Sequence, residues 1–257
     1  MVSRLSWVAG AVLLAAIQGE AATSERNRPD DGIAFQTILD LEQTARLLAI
    51  LLDSGRSVIN ENQSLFDDPV KVDKAFTPEV FERQLARMFR DRSGLDLTDL
   101  DSANIPSSAK KWVKELLAVS KQVVKDAQPE INQPAAQSKL IPAVFGSRVA
   151  GRFTERTDVR LKQTALAPRN PTNAPDPVER SALEMFAAPD YPREKAISEA
   201  TAKSGMFRLM FPLYMTRQCL DCHGEPKGTR DKMGYPREGL RLGQNAGAIS
   251  VAIPMSP

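Results

Sequence analysis

Apolar positions in the first half of the chain recur at intervals of three and four. From about Ile33 onward, Ile38, Leu41, Ala45, Leu48, Leu52, Gly55 and Ile59 fall on one stripe, and Asn62 is the next position on it. This pattern predicts one long amphipathic helix. Such a stripe serves core packing or helix pairing, and it allows two copies of the chain to pair as a homodimer. Residues 63–76, with Asp67-Asp68-Pro69, read as a loop. Thr77-Pro78-Glu79 reads as a helix start, with Thr as N-cap, Pro at the first helical position and an acid in the first turn. Phe81, Leu85 and Met88 give that helix an inward face, beside Arg83, Arg87, Arg90 and Arg92, which read as a solvated basic face. A turn-rich segment, 93–106, precedes a third helix over 107–127, with Trp112, Leu116, Val119 and Val123 on one side and Pro129 and Pro134 ending it.

After Leu140 the period changes. Residues 142–154 still read as helix, with Val144, Phe145 and Val149 inward. Over 158–166, Val159, Leu161, Gln163 and Ala165 alternate with Arg160, Lys162 and Thr164, which predicts a strand. Arg169 to Asp176 is a rigid loop of turn formers. Asp176-Pro177-Val178-Glu179 has the spacing of a capping box opening a short helix through Phe186. Residues 205–215 predict a second strand, with Phe207, Leu209 and Phe211 on one face. A loop rich in Gly and Lys/Arg spans 224–247. Over 248–253 a third strand alternates Ile249, Val251 and Ile253 with Ala248, Ser250 and Ala252. Helices first and strands afterwards point to an α+β fold, an antiparallel sheet with helices on one side.

The N-terminus reads as a secretory signal over residues 1–21: Arg4 as the basic region, an apolar run from Trp7 to Ile17, and a small residue at Ala21 before the cleavage point. The apolar run is short for crossing a bilayer, and no other stretch reads as a membrane span. Residues 22–32 read as a flexible polar lead, and 33–257 as one domain, helical over 33–140 and carrying the sheet over 141–257. The formal net charge of +2 is too small to point to nucleic acid or an anionic membrane as partner.

The chemistry is concentrated in one stretch. The chain has two Cys and one His, and all three lie in Cys219-Leu220-Asp221-Cys222-His223. C-x-x-C-H is the spacing that attaches a c-type haem, two thiols reaching the edge of one porphyrin with the following imidazole under the iron. A disulfide between these Cys closes only a tiny loop. A redox C-x-x-C sits near a βαβ pattern, which is missing here. A zinc site needs ligands that the chain does not offer elsewhere. One motif means one covalent haem, and a single His excludes bis-histidine ligation within one chain.

The order of motifs carries a resemblance. A helical N-terminus is followed by Arg169-Asn170-Pro171 and Asn173-Ala174-Pro175-Asp176. A hydrophobic strand then runs into Cys219-Leu220-Asp221-Cys222-His223-Gly224, and the chain closes on Gly247-Ala248-Ile249-Ser250-Val251 and Ile253-Pro254. Over roughly 33–257 this resembles the c-type haem, PAS-like domain family of cyanobacterial and proteobacterial haem proteins, long labelled a domain of unknown function. The resemblance implies a PAS-like sheet carrying one haem, with a role in redox or small-molecule sensing. Cys219, Cys222 and His223 match the family's haem motif. The family places a Cys from the N-terminal helix on the other side of the iron. This sequence has none there, and the corresponding region is 59–63, with Asn62 on the helix stripe. Met206, Met210, Met215 and Met233 are alternative sixth ligands or core filler. Arg169 pairs with a haem propionate or serves the loop's structure, and Tyr214 and Tyr235 are weaker contacts.

Two function classes follow. One is a redox or gas sensor, with a diatomic gas as ligand and a separate signalling partner. The other is a periplasmic electron carrier, with a redox protein as partner. No cluster of residues with assigned roles points to a dedicated enzyme.

Overall fold

The computed structural model describes residues 30–132, 140–193, 195–201 and 205–255. The expected signal segment 1–21, residues 22–29 and Pro134 lie outside the described residues. Helix α1 (Asp30–Glu61) begins three residues before the expected start and is 32 residues long, about 48 Å at 1.5 Å per residue. Its buried surface is wider than one stripe. Leu48, Leu52 and Ile59 are fully buried, and so are Thr44, Ala49, Ser54 and Val58. The reason is tertiary: α1 has neighbours on several sides. Ile38, the first position of the stripe, is 37% exposed, so the stripe begins outside the core.

The expected loop 63–76 contains a single helical turn, α2 (Gln63–Phe66). It forms because Phe66 is buried edge-on against Phe76, with ring centroids 4.9 Å apart. Helix α3 (Pro78–Ser93) starts where Thr77 Oγ1 accepts from the Val80 N–H at 3.3 Å. It ends at Gly94 in the left-handed region, φ 75°. Phe81, Leu85 and Phe89 are buried, whereas Met88 is only partly covered, so Phe89 replaces it on the inward face. All four arginines of this helix are exposed, and Arg92 reaches Asp53 of α1 at 2.7 Å.

Helix α4 (Ser107–Asp126) buries Trp112, Leu116, Val119 and Val123 as the periodicity requires. A short turn, α5 (Gln128–Ile131), follows, with Pro129 near its start. Helix α6 (Pro142–Arg156) buries Phe145, Val149 and Phe153, while Val144 is half-buried. Helices α3, α4 and α6 pack around α1, which also lies on the sheet.

The sheet has four antiparallel strands, β1 (Arg160–Thr164), β2 (Ile197–Thr201), β3 (Met206–Tyr214) and β4 (Asn245–Pro254), in the order β1-β4-β3-β2. β2 has no strong alternation in the sequence and exists because β3 offers it a free edge. Register pairs Leu161 with Val251, Leu209 with Val251, and Phe207 with Ile253. This puts one apolar row under α1 and α6. The expectation that helices lie on one side only is corrected by α7 (Pro177–Phe186), which packs Ala182, Leu183 and Phe186 over Met210 and Ala248 on the other face. Small residues at Ala248, Ser250 and Ala252 leave room for it. The capping box forms as the spacing predicts: Glu179 N–H donates to Asp176 Oδ1, and Asp176 N–H donates to Glu179 Oε2, both at 2.9 Å. Asp176 also pairs with Arg208 of β3, and Glu179 accepts from Lys162 of β1 at 2.8 Å, tying α7 to both strands. No described helix is long and apolar enough to cross a membrane.

Two outcomes follow from this packing. A Cβ at Gly146 would lie 2.5 Å from the Gln163 side-chain oxygen, whose amide donates to Ala143 O at 3.0 Å and to Ser147 Oγ at 3.1 Å. Gly146→Ala therefore lowers the unfolding free energy by ~1–3 kcal/mol, read from urea denaturation. Burial alone would raise the Asp176 carboxyl, but Arg208 and the Glu179 N–H hold it below its ordinary 3.8. Stability from this contact is complete above that value and is lost as pH falls through the folded-state value. Urea midpoints of the wild type then fall more steeply on acidification than those of Asp176→Asn.

Candidate functional site

β3 delivers the chain to the cysteine motif. A register shift at Leu213 and Tyr214 ends regular pairing with β4. Asn245 Nδ2 donates to Leu213 O at 3.1 Å and to Gly247 O at 3.0 Å, and Gly247 sits at φ 128°, where other residues are strained. Beyond the sheet, Met215 exchanges backbone hydrogen bonds with Gly243 and Gln244. A single helical turn, α8 (Leu220–His223), then carries the motif. His223 N–H donates to Cys219 O at 3.0 Å and Gly224 N–H to Leu220 O at 2.9 Å. A side chain at Gly224 would meet Leu220 O at 2.5 Å, so only glycine lets the chain leave this turn on its present path.

Cys219 and Cys222 are free thiols, both partly exposed. Burial, with Asp231 nearby, pushes the Cys222 thiol above its ordinary value and keeps it protonated at neutral pH. His223 Nδ1 lies 2.8 Å from Glu238 Oε2. Burial would raise the Glu238 carboxyl, but hydrogen bonds from Arg169 and His223 more than reverse this and hold it below 4.5. An ionised carboxylate only accepts. Nδ1 therefore carries the proton, and in the neutral ring Nε2 keeps its lone pair, the form in which imidazole binds a metal.

Glu238 is itself held. Arg169 Nε donates to Glu238 Oε1 at 2.5 Å and Nη2 to Oε2 at 2.9 Å. The same guanidinium donates from Nη1 to Asp231 Oδ2 at 2.6 Å and from Nη2 to the Cys222 carbonyl at 2.8 Å. The Asp231 side chain is fully buried, and its other oxygen accepts the N–H groups of Met233 and Tyr235 at 2.8 and 2.9 Å. The Tyr235 ring lies under the guanidinium, 5.5 Å from its centroid. One arginine thus fastens the motif, the loop after it and the partner of its imidazole. Lys232 anchors that loop to the α1–α2 junction, donating to Gln63 Oε1 at 3.1 Å and pairing with Asp67.

The structure brings Cys219, Cys222, His223 and Arg169 together, and Gln63, next to Asn62 in the expected region 59–63, meets the motif loop through Lys232. Of the two roles read for Arg169, its contacts correspond to the structural one: its donors face two carboxylates and the Cys222 carbonyl. Asn62 donates to Val58 O and to Gln84 Oε1, each at 2.8 Å, so its amide is turned toward α3. Of the methionines, Met210 lies in the cluster beneath α7, Met206 stands at the far end of β3, Met215 is buried beside the motif strand, and Met233 is half-buried in the loop. A shallow groove lined by Arg193, Tyr214, Met215, Arg217 and Leu242 flanks the approach to Cys219. Glu238, Asp231 and Lys232 are the residues that sequence reasoning missed. They sit in an irregular loop, where no spacing rule links position 238 to position 223.

The residues present suit a covalently held haem. The thiols are unpaired and one turn apart, and the neighbouring imidazole is oriented through its other nitrogen.

A family model described as Tll0287-like matches residues 35–254, and the chain belongs to that family. The resemblance read from the motifs spans nearly the same residues. A solved structure described as that of the cyanobacterial heme-protein Tll0287 is 19% identical, with a TM-score of 0.39, covering 57% of this chain and 96% of that one. No curated protein matches the chain.

Lys232→Met removes a half-buried anchor of the loop. The expected loss is ~0.5–1 kcal/mol of stability, with faster amide hydrogen exchange across 224–244 measured by mass spectrometry.

Proposed function

We propose that this member of the Tll0287-like family is an exported haem protein that senses redox state or a small ligand such as a diatomic gas. One haem c is attached by addition of the Cys219 and Cys222 thiols across its two vinyl groups, with His223 as an axial ligand through Nε2. The observation that carries the reading is the turn that holds two free thiols beside an imidazole whose Nδ1–H is already engaged. Bound haem supplies a reversible one-electron couple and a coordination position for a small molecule.

Support for sensing comes from the surroundings. Met210 packs in the interior cluster and Asn62 faces α3, so neither is offered as a strong second ligand. The antiparallel sheet, in which the first strand pairs with the last, supports the PAS-like part of the reading. The N-terminal signal pattern supports a periplasmic location, where a separate signalling protein would receive the output.

Electron transfer is the second reading, favoured by a specific feature. The partly exposed motif borders a groove with Arg193 and Arg217 on it, a surface suited to an acidic redox partner.

Protein matured in a host with cytochrome c assembly machinery is expected to show the processed chain plus one haem by mass spectrometry, with pigment that survives acidified acetone. Cys219→Ala with Cys222→Ala loses that pigment. A colourless wild type overturns the reading. Spectral change of the reduced protein with CO or NO supports sensing. A methionine–iron charge-transfer band without gas binding transfers the assignment to electron carriage.

A further inference from the structure

We infer that Glu238 is a positioning residue for His223: it fixes the ring's orientation and raises its donor strength, giving the site a lower reduction potential than a neutral hydrogen-bond partner would. The inference rests on the proposed haem attachment and adds a residue to it.

An axial imidazole needs a partner on its second nitrogen to fix its tautomer and rotation. Here that partner is a carboxylate oxygen 2.8 Å from Nδ1. A charged acceptor makes a stronger hydrogen bond than a neutral carbonyl. It moves electron density onto the ring, which favours the more positive state of a bound iron. Glu238 is not a chance neighbour. Arg169 grips both its oxygens, at 2.5 and 2.9 Å, and also donates to the Cys222 carbonyl at 2.8 Å. Asp231, with its side chain fully buried, holds the remaining arm of the guanidinium. The relay from Asp231 through Arg169 and Glu238 to His223 joins residues from two separate loops. Its members close on the motif itself, so the carboxylate cannot drift from the ring without breaking its bonds to Arg169, which also holds the Cys222 carbonyl. Arg169 shares Oε2 of Glu238 with His223, which limits how much negative charge reaches the ring.

The test is a reductive titration and a ferric spin-resonance spectrum on haem-loaded protein. Glu238→Gln keeps size and an acceptor oxygen but removes the charge. The midpoint potential is expected to rise, and the spin-resonance pattern to move toward a weaker axial donor, with the haem still attached. Two controls separate other causes. Glu225→Gln removes an exposed carboxylate two residues from His223 that does not touch the ring. Glu61→Gln removes an exposed carboxylate at the end of α1, outside the loop that carries Glu238. Neither is expected to reproduce the shift. If Glu238→Gln does not fold, Glu238→Asp draws the carboxylate away from the ring and shifts the potential in the same direction by less. An unmoved potential in either folded variant, or an equal shift in either control, overturns the inference and leaves the haem attachment standing. A wild type without covalent haem overturns the attachment itself.

Discussion

The Arg169 guanidinium is the point on which the candidate site depends. Its donors face the Glu238 carboxylate, the buried Asp231 carboxylate and the carbonyl of Cys222. Taking a guanidinium partly out of water is unfavourable unless its donors are satisfied. Here the satisfaction also organises the loop, because every acceptor lies on the segment between Cys222 and Glu238. Burial opposes the charge on each of the two acids, and the arginine reverses that effect for both. Removing Arg169 would leave two carboxylates without their shared cation, so the set depends on the guanidinium.

The rest of the fold gives this unit a rigid base. α1 is buried on most of its circumference and carries α3, α4 and α6 on one side and the sheet on another. β3 lies in the middle of the sheet, between β4 and β2, and its end is where the motif begins. The register shift at Leu213 and Tyr214 releases the strand from its ladder and turns it toward α8. Lys232 then ties the far side of the loop to Gln63 and Asp67, at the other end of α1. Among the described residues, both the strand and the lysine join the helical core to the motif loop.

The imidazole's environment bears on both proposed functions in the same way. Engaging Nδ1–H leaves Nε2 as the ring's free donor and restrains rotation about the side chain's bonds. A sensor gains from this because the signal on ligand binding is not dissipated in ring motion. An electron carrier gains because little reorganisation accompanies the change of charge.

The chain's local patterns determined much. The stripe along α1, the N-cap at Thr77, the capping box at Asp176, the alternation of β1, β3 and β4 and the C-x-x-C-H spacing are set by residues a few positions apart. Short-range sterics and hydrogen bonding dictate their outcome, so they are legible in the residues alone. Only the tertiary structure decided the rest. β2 needed the edge of β3, α2 needed Phe76 to cover Phe66, and the second face of the sheet needed the small side chains of β4 to admit α7. The partner of His223 was decided the same way. Glu238 lies fifteen positions along an irregular loop, and Arg169 arrives from the far side of α7. Neither has a periodicity to betray it, because what joins them is complementary charge brought together by the closing of the whole chain.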